Sequence, residues 1–322
     1  MRRERRYALE AGLASAVAAV VRYLPRRFVL ALGRGLGRLW GAFDQRHLRI
    51  ASDNLRQAFP EWAEERVRRT ARGVYAHFGA ILFDILWLGG RSGEELLAIT
   101  DVEGLEEARA AATSGQGVVC PTGHFGNWEF QGIASALLVG PVSVVARPLD
   151  NPELDRRLVG LRTSTGNTVI YKKKALSQIM QTIRGGGAVA IVIDQNVQRK
   201  DGIFVDFFGR PACTTTVAAA LALKTGCLIV PVRCPLGPDG RYRMVYGPPV
   251  EWEGEGRGPE AVAALTQQLT SIIEGWVREY PEQWLWLHRR WKTQPAPSEG
   301  PAPSGTRPSP DAADDGGSGG AA

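Results

Sequence analysis

Val118-Val119-Cys120-Pro121-Thr122-Gly123-His124-Phe125-Gly126-Asn127-Trp128-Glu129 runs from a short apolar strand, through a turn, into the opening of a helix. The same alternation repeats downstream. β-rich runs at Val118 to Cys120, Val142 to Ala146, Thr168 to Tyr171, Ala188 to Ile193 and Leu228 to Cys234 alternate with helical segments. The helical segments lie near Asn127 to Leu138, Leu154 to Thr165, Ala175 to Arg184 and Thr215 to Lys224. Such a pattern predicts an α/β fold, a largely parallel central sheet flanked by helices. Ligands in these folds collect at the carboxyl ends of the strands, where His124 is expected to sit. Tyr242 to Tyr246 reads as an added edge strand, and Ala261 to Tyr280 as a long closing helix.

Upstream, the first hundred residues read as helix. Val67, Ala71, Val74, Phe78, Ile81, Ile85 and Leu88 recur at three- and four-residue steps, giving one apolar stripe. Pro60 is expected to open that helix and Gly89-Gly90 to close it, with His77 a face or core histidine. Arg2, Arg3, Arg5 and Arg6 precede an apolar stretch from Tyr7 to Val21, and Arg22, Arg26 and Arg27 follow it. Glu10 interrupts the stretch, and the charge-free run left is too short for an ordinary span of ~20 residues. A helical N-terminal membrane-associating region, residues 1–30, surface-lying or re-entrant at an anionic membrane surface, is therefore expected, ahead of a true span or a plain core helix. Its arginine cluster favours the cytoplasmic side.

Residues 31–293 are read as one domain. From 294 to 322 the chain has no aromatic residue and no Leu, Ile or Val, so a disordered tail is expected there. Lys and Arg number 39 against 33 Asp and Glu, a balance that by itself fits nucleic acid, lipid headgroups or acidic proteins alike. No aromatic-basic binding motif supports nucleic acid, which is not expected as a partner. Cys120, Cys213, Cys227 and Cys234 lack metal or redox spacing and read as buried free thiols. No metal site is expected, because neither Glu-x-x-His nor His-Glu-x-x-His occurs around His124 and Glu129. The Gly-x-Ser-x-Gly string at Gly316 to Gly320 lies in the tail, without the strand and helix that a nucleophile elbow needs.

The chemistry points to His124 and Glu129. Acyl transfer to a hydroxyl needs a base for the hydroxyl proton, and neutral imidazole suits that task near neutral pH. It also needs a carboxylate to fix the ring tautomer. Residues five apart on a continuous helix lie about 140° from each other. The pair meets only if His124 stays in the loop and Gly126 allows a tight entry that folds Glu129 back. The helix amino end, with Gly126 and Asn127, offers free N–H groups to an oxyanion or phosphate.

Gly-His-Phe-Gly-Asn-Trp-Glu, residues 123 to 129, resembles the signature of the bacterial lipid A late acyltransferases of lauroyl and myristoyl type. They sit within the glycerolipid acyltransferase superfamily, where His-x4-Asp is usual and Glu stands here instead. Further blocks are similar: Arg147-Pro148 with Asn151-Pro152 and Leu154-Asp155, Asp194-Gln195-Asn196, Val205 to Ala212, and Trp284 to Lys292. The resemblance spans about residues 5 to 292. It implies an inner-membrane enzyme facing the cytoplasm that carries acyl chains from acyl carrier protein to a hydroxyl of a lipid A precursor, with no cofactor. By that resemblance His124 is the general base and Glu129 its orienting carboxylate. Acyl-CoA as donor, with another membrane glycolipid such as a phosphatidylinositol mannoside as acceptor, is the nearest alternative. A thioesterase and a non-catalytic lipid-binding scaffold are the others.

Secondary candidates follow from position. Arg147 ends a strand, where it can meet a substrate phosphate or pair with Asp150 or Asp155. Arg162 serves either a phosphate or a solvated helix face. Asp194 and Gln195 follow the strand ending at Ile193, so both are expected in the strand-end crevice, binding substrate or supporting those that do. Phe204, Phe207 and Phe208 fit an acyl groove or plain core. Lys172-Lys173-Lys174 fits docking of an acidic carrier protein or a solvated charge run.

Overall fold

A computed structural model describes residues 2–171 and 175–296. The tail from 297 onward and the Lys172-Lys173-Lys174 run lie outside the described residues. Four helices come first: α1 (Arg2–Val21), α2 (Arg26–Phe43), α3 (Gln45–Ala58) and α4 (Glu64–Leu88). The chain continues through α5 (Gly93–Leu97), β1 (Thr100–Glu103), α6 (Leu105–Thr113), β2 (Val118–Thr122), α7 (Trp128–Leu138), β3 (Val142–Ala146) and α8 (Pro152–Thr163). Then come β4 (Thr168–Tyr171), α9 (Ala175–Arg184), β5 (Ala188–Val192), β6 (Ile203–Asp206), β7 (Pro211–Thr214) and α10 (Val217–Thr225). The last are β8 (Leu228–Ile229), β9 (Val232–Arg233), β10 (Tyr242–Tyr246) and α11 (Pro259–Glu279).

The central sheet runs β4-β3-β5-β2-β8, with all its pairings parallel, so the expected α/β class holds. Side chains alternate between its faces. Val119, Val189 and Ile191 join Ile183, Leu221 and Leu265 in one core, while Val118 and Ala188 join Phe130 and Ile133 in another. Three expectations need correction. The run from Leu228 to Cys234 is two short strands, β8 and β9, in different sheets, broken around Val230-Pro231. Proline's missing N–H suits it to such a break. Tyr242 to Tyr246 is no edge strand, because β10 lies between β1 and β9. The opening hundred residues close on β1, whose four residues are too few for periodicity to reveal. The β6–β7 hairpin was likewise unexpected.

The α4 stripe forms as expected, with Val67, Ala71, Val74, Ile81 and Leu88 buried, although the helix starts at Glu64 rather than at Pro60. Against it lies α2, through a row of glycines four residues apart: Gly33, Gly37 and Gly41. A Cβ on Gly37 would stand 2.1 Å from the Tyr75 carbonyl oxygen. The helices can approach this closely only because that face has no side chains. Gly37→Ala is expected to destabilise the fold by about 1–3 kcal/mol, the usual cost of overpacking. A urea midpoint equal to wild type would show that the contact tolerates a methyl group. The expected boundary at residue 30 falls inside α2. No described helix is long and apolar enough to cross a membrane.

Candidate active site

Register builds the site. β2 and β5 are parallel neighbours with Thr122 opposite Val192, so two residues beyond each strand end His124 meets Asp194. The imidazole Nδ1 lies 2.8 Å from Asp194 Oδ1, and the His124 backbone N–H donates to Oδ2 at 2.6 Å. Trp284 Nε1–H adds a third bond to Oδ2, at 2.7 Å. The Asp194 carboxylate is thus a buried acceptor for three donors, which fixes it ionised. Burial opposes that charge most strongly, but His124's charge and hydrogen bond, aided by His288 and Trp284, outweigh it and hold the carboxyl far below the usual range. On His124 burial again is the largest influence and disfavours the cation. The charge and hydrogen bond of Asp194, with the charge of Glu129, overcome it and raise the imidazole pKa above 6.5.

With Nδ1–H donated to Asp194, the Nε2 lone pair is left outward, where the exposed Gln195 amide nitrogen approaches it at 3.2 Å. An imidazole held this way can accept a proton from a hydroxyl.

Glu129 does not hold the ring. It lies in the first turn of α7 and takes a two-pronged ion pair from Arg162 of α8, at 2.7 and 2.6 Å, plus a bond from Trp128 Nε1 at 3.1 Å. Its charge acts on His124 through space, and Trp128 links the two by packing edge-on against the imidazole, ring centres 5.1 Å apart. The expected Glu129–imidazole contact is therefore replaced by Asp194–imidazole, and Arg162 lies on Glu129 rather than on a solvated face.

Gly126 does allow the tight entry, with φ of 57° and a would-be Cβ 2.2 Å from the Cys234 carbonyl oxygen. Its backbone groups are not open to substrate. The N–H donates to Gln283 and the carbonyl accepts from His77, so Gly126 belongs to the scaffold. Asn127 is fully buried, caps α7 by accepting from the Phe130 N–H, and donates to the Tyr242 hydroxyl. It too positions the loop. Burial pushes His77 down to about 4, so the ring that supports Gly126 is neutral. Arg147 is exposed at the end of β3, and Asp155 is instead bonded by the Leu149 N–H and the Tyr171 hydroxyl. Phe207 and Phe208 are buried core against Trp284 and Trp286.

Two contributors escaped the sequence reading. Trp284 completes the cradle of Asp194, and the wholly buried Arg290 fastens the same closing segment by donating to the Cys213 carbonyl and the Thr214 hydroxyl. Their signal was the dense Trp/Arg composition of residues 284 to 292, where solvent-facing tails seldom place so many aromatics.

An imidazole backed by a buried carboxylate at the ends of parallel strands has the groups an acyltransferase can use, and the relatives of this chain are acyltransferases. The chain belongs to the bacterial lipid A biosynthesis acyltransferase family, whose profile matches residues 2–293. It is 28% identical over 274 residues to the lipid A biosynthesis lauroyltransferase of Escherichia coli K12, covering 84% of this chain and 88% of that one. It is 29% identical over 277 residues to the lipid A biosynthesis palmitoleoyltransferase of the same strain, with 84% and 87% covered. The phosphatidylinositol mannoside acyltransferase of Mycolicibacterium smegmatis is 29% identical over 206 residues, 63% of this chain and 64% of its own. Acyl transfer to a glycolipid is common to these names.

Proposed function

We propose that this protein moves a fatty acyl chain from the thioester of acyl carrier protein to a hydroxyl of a lipid A precursor, at the cytoplasmic face of the inner membrane. The observation that carries the reading is the His124 ring, locked through Nδ1 on Asp194 with Nε2 turned toward the exposed Gln195 amide. In this mechanism Gln195 gives way to the acceptor hydroxyl, whose proton passes to Nε2 as its oxygen attacks the thioester carbonyl. The tetrahedral oxyanion collapses, the carbon–sulfur bond breaks, and the imidazolium passes its proton to the leaving thiolate, which restores the neutral base. The products are ester and thiol. Arg162, held by Glu129, supplies positive charge beside the developing oxyanion or a substrate phosphate. Arg147 is placed to meet a second phosphate.

Purified protein given labelled acyl carrier protein and lipid A precursor is expected to form a glycolipid ester. Free fatty acid alone would indicate a hydrolase, and no product a scaffold. Phosphatidylinositol mannoside with acyl-CoA belongs in the same assay, because relatives bearing that acceptor's name match this chain. Preferential acylation of the mannoside would replace the lipid A reading.

A further inference from the structure

Helix α2 presents three faces at roughly 100° per residue. Its glycine row is taken up by α4. A second face carries Phe28, Leu32, Leu36, Leu39, Trp40 and Phe43, and is open, Trp40 being 66% and Phe43 77% exposed. Between these, on one flank, Arg34 and Arg38 stand one turn apart. They line a cavity of about 1500 Å³ whose other wall is α4, bearing the exposed Arg69 and Arg72. Among the described residues no ion pair is formed by any of these four arginines. Two of the neighbouring acids are engaged elsewhere: Glu64 holds Arg56 and Arg68, and Glu279 holds Arg233. Glu65, one turn before Arg69 on α4, also lines the cavity, and Glu282 lies within electrostatic reach of Arg38 and Arg69, where burial raises its pKa against their pull. None of His124, Asp194 and Glu129 lines the cavity; two of its lining residues, His77 and Gln283, hold the back of the Gly126 loop.

We propose that the groove between α2 and α4 binds the phosphate of an anionic bilayer lipid while the open apolar face of α2 is sunk in the same leaflet. Arginine forks match phosphate oxygens bidentately, and a phosphate is the anion a bilayer offers at headgroup depth. A helix lying in the interface puts its apolar face among acyl chains and its cations at the boundary, which is the order of faces on α2. An acidic protein in the groove would leave the adjoining Phe28 to Phe43 face in water. The membrane element is then centred on α2 rather than on residues 1–30. Two glycine-rich turns hide it from a linear hydropathy reading.

The inference is independent of the acyl-transfer chemistry, so the tests use His124→Ala protein as readily as wild type. Sedimentation is measured with vesicles of phosphatidylcholine, with and without phosphatidylglycerol. Each cation near an anionic surface is worth about a fivefold change in partitioning. The combined Arg34→Gln, Arg38→Gln, Arg69→Gln and Arg72→Gln variant is expected to lose roughly 10²–10³-fold in binding to anionic vesicles and nothing on neutral ones. Leu36→Ser with Trp40→Ser is expected to weaken binding to both. Should the fourfold variant not fold, Arg38→Gln alone and the salt dependence of wild-type binding decide the matter, each expected to weaken only the anionic case. Equal binding of wild type to the two vesicles, or unchanged binding by the arginine variants, overturns the proposal. So does acyl carrier protein that binds wild type in solution and not the arginine variants, while vesicles bind neither.

Discussion

Asp194→Asn is expected to lower kcat by about 10⁴-fold, the loss seen when the carboxylate behind a catalytic imidazole becomes an amide. Asp194 accepts from the His124 N–H, from the ring Nδ1 and from Trp284 Nε1. An amide has one acceptor oxygen, so its NH₂ must face at least one of those donors. Facing the ring, it accepts nothing from Nδ1–H and favours the tautomer with the proton on Nε2, which can no longer act as base. Facing the other two, it leaves buried donors unpaired at about 1–3 kcal/mol each. The donor KM should stay within a few-fold, since no proposed donor contact is removed. The pH profile adds a separate check. Because Asp194 and Glu129 raise the His124 pKa, the wild-type rate should fall on the acid side with an apparent pKa above 6.5. In Asp194→Asn that limb should move to lower pH. Loss of less than tenfold in kcat with an unmoved acid limb would refute the role assigned to Asp194. The linkage has two signs. The raised His124 pKa stabilises the fold below about 6.5, a contribution lost as pH rises through the folded value. The lowered Asp194 pKa stabilises above about 4 and is lost on acidification. In the variant the Asp194 contribution should be missing and the His124 one reduced to what the charge of Glu129 supplies.

The largest loss of stability is expected at a residue outside the crevice. Asp84 is completely buried on α4 and takes a two-pronged pair from Arg26 at 2.9 and 2.7 Å, with the Tyr242 hydroxyl donating at 2.6 Å. Asp84→Ala strands the Arg26 guanidinium in a poorly solvated site, and breaking such a pair costs about 3–5 kcal/mol. Tyr242 in turn accepts from Asn127, the cap of α7 that immediately precedes Trp128 and Glu129. Loss of Asp84 should therefore also loosen the helix entry that aims Glu129 at Arg162, lowering kcat in the protein that remains folded. Urea unfolding gives the first quantity and activity at low temperature the second. Asp84→Leu combined with Arg26→Met should recover most of the stability, because an apolar pair removes both charges together. A single-variant loss below about 1 kcal/mol would mean that water, with the Gly240 carbonyl to which Arg26 already donates, suffices for the guanidinium.

The sequence by itself determined the alternation of strands and helices, because period-2 and period-3.6 patterns are local consequences of burying one face. It likewise placed His124 and Asp194 at strand ends, and it marked residues 284 to 292 as something other than tail. Partnership was another matter. Glu129 is five residues from His124 and Asp194 is seventy, yet the parallel register of β2 and β5 brings the distant pair into contact and turns the near one toward Arg162. Gly126 and Asn127 read as a ligand-facing helix end, but the loop's neighbours, Gln283, His77 and Tyr242, occupy their polar groups. The open face of α2 was just as hidden, since glycines spread along a helix lower its hydropathy until α4 shows which side they serve. Local chemistry fixed which groups could act and where each strand would end. Which of them touch depended on strand register and helix packing, interactions between segments far apart in the chain that no short window contains.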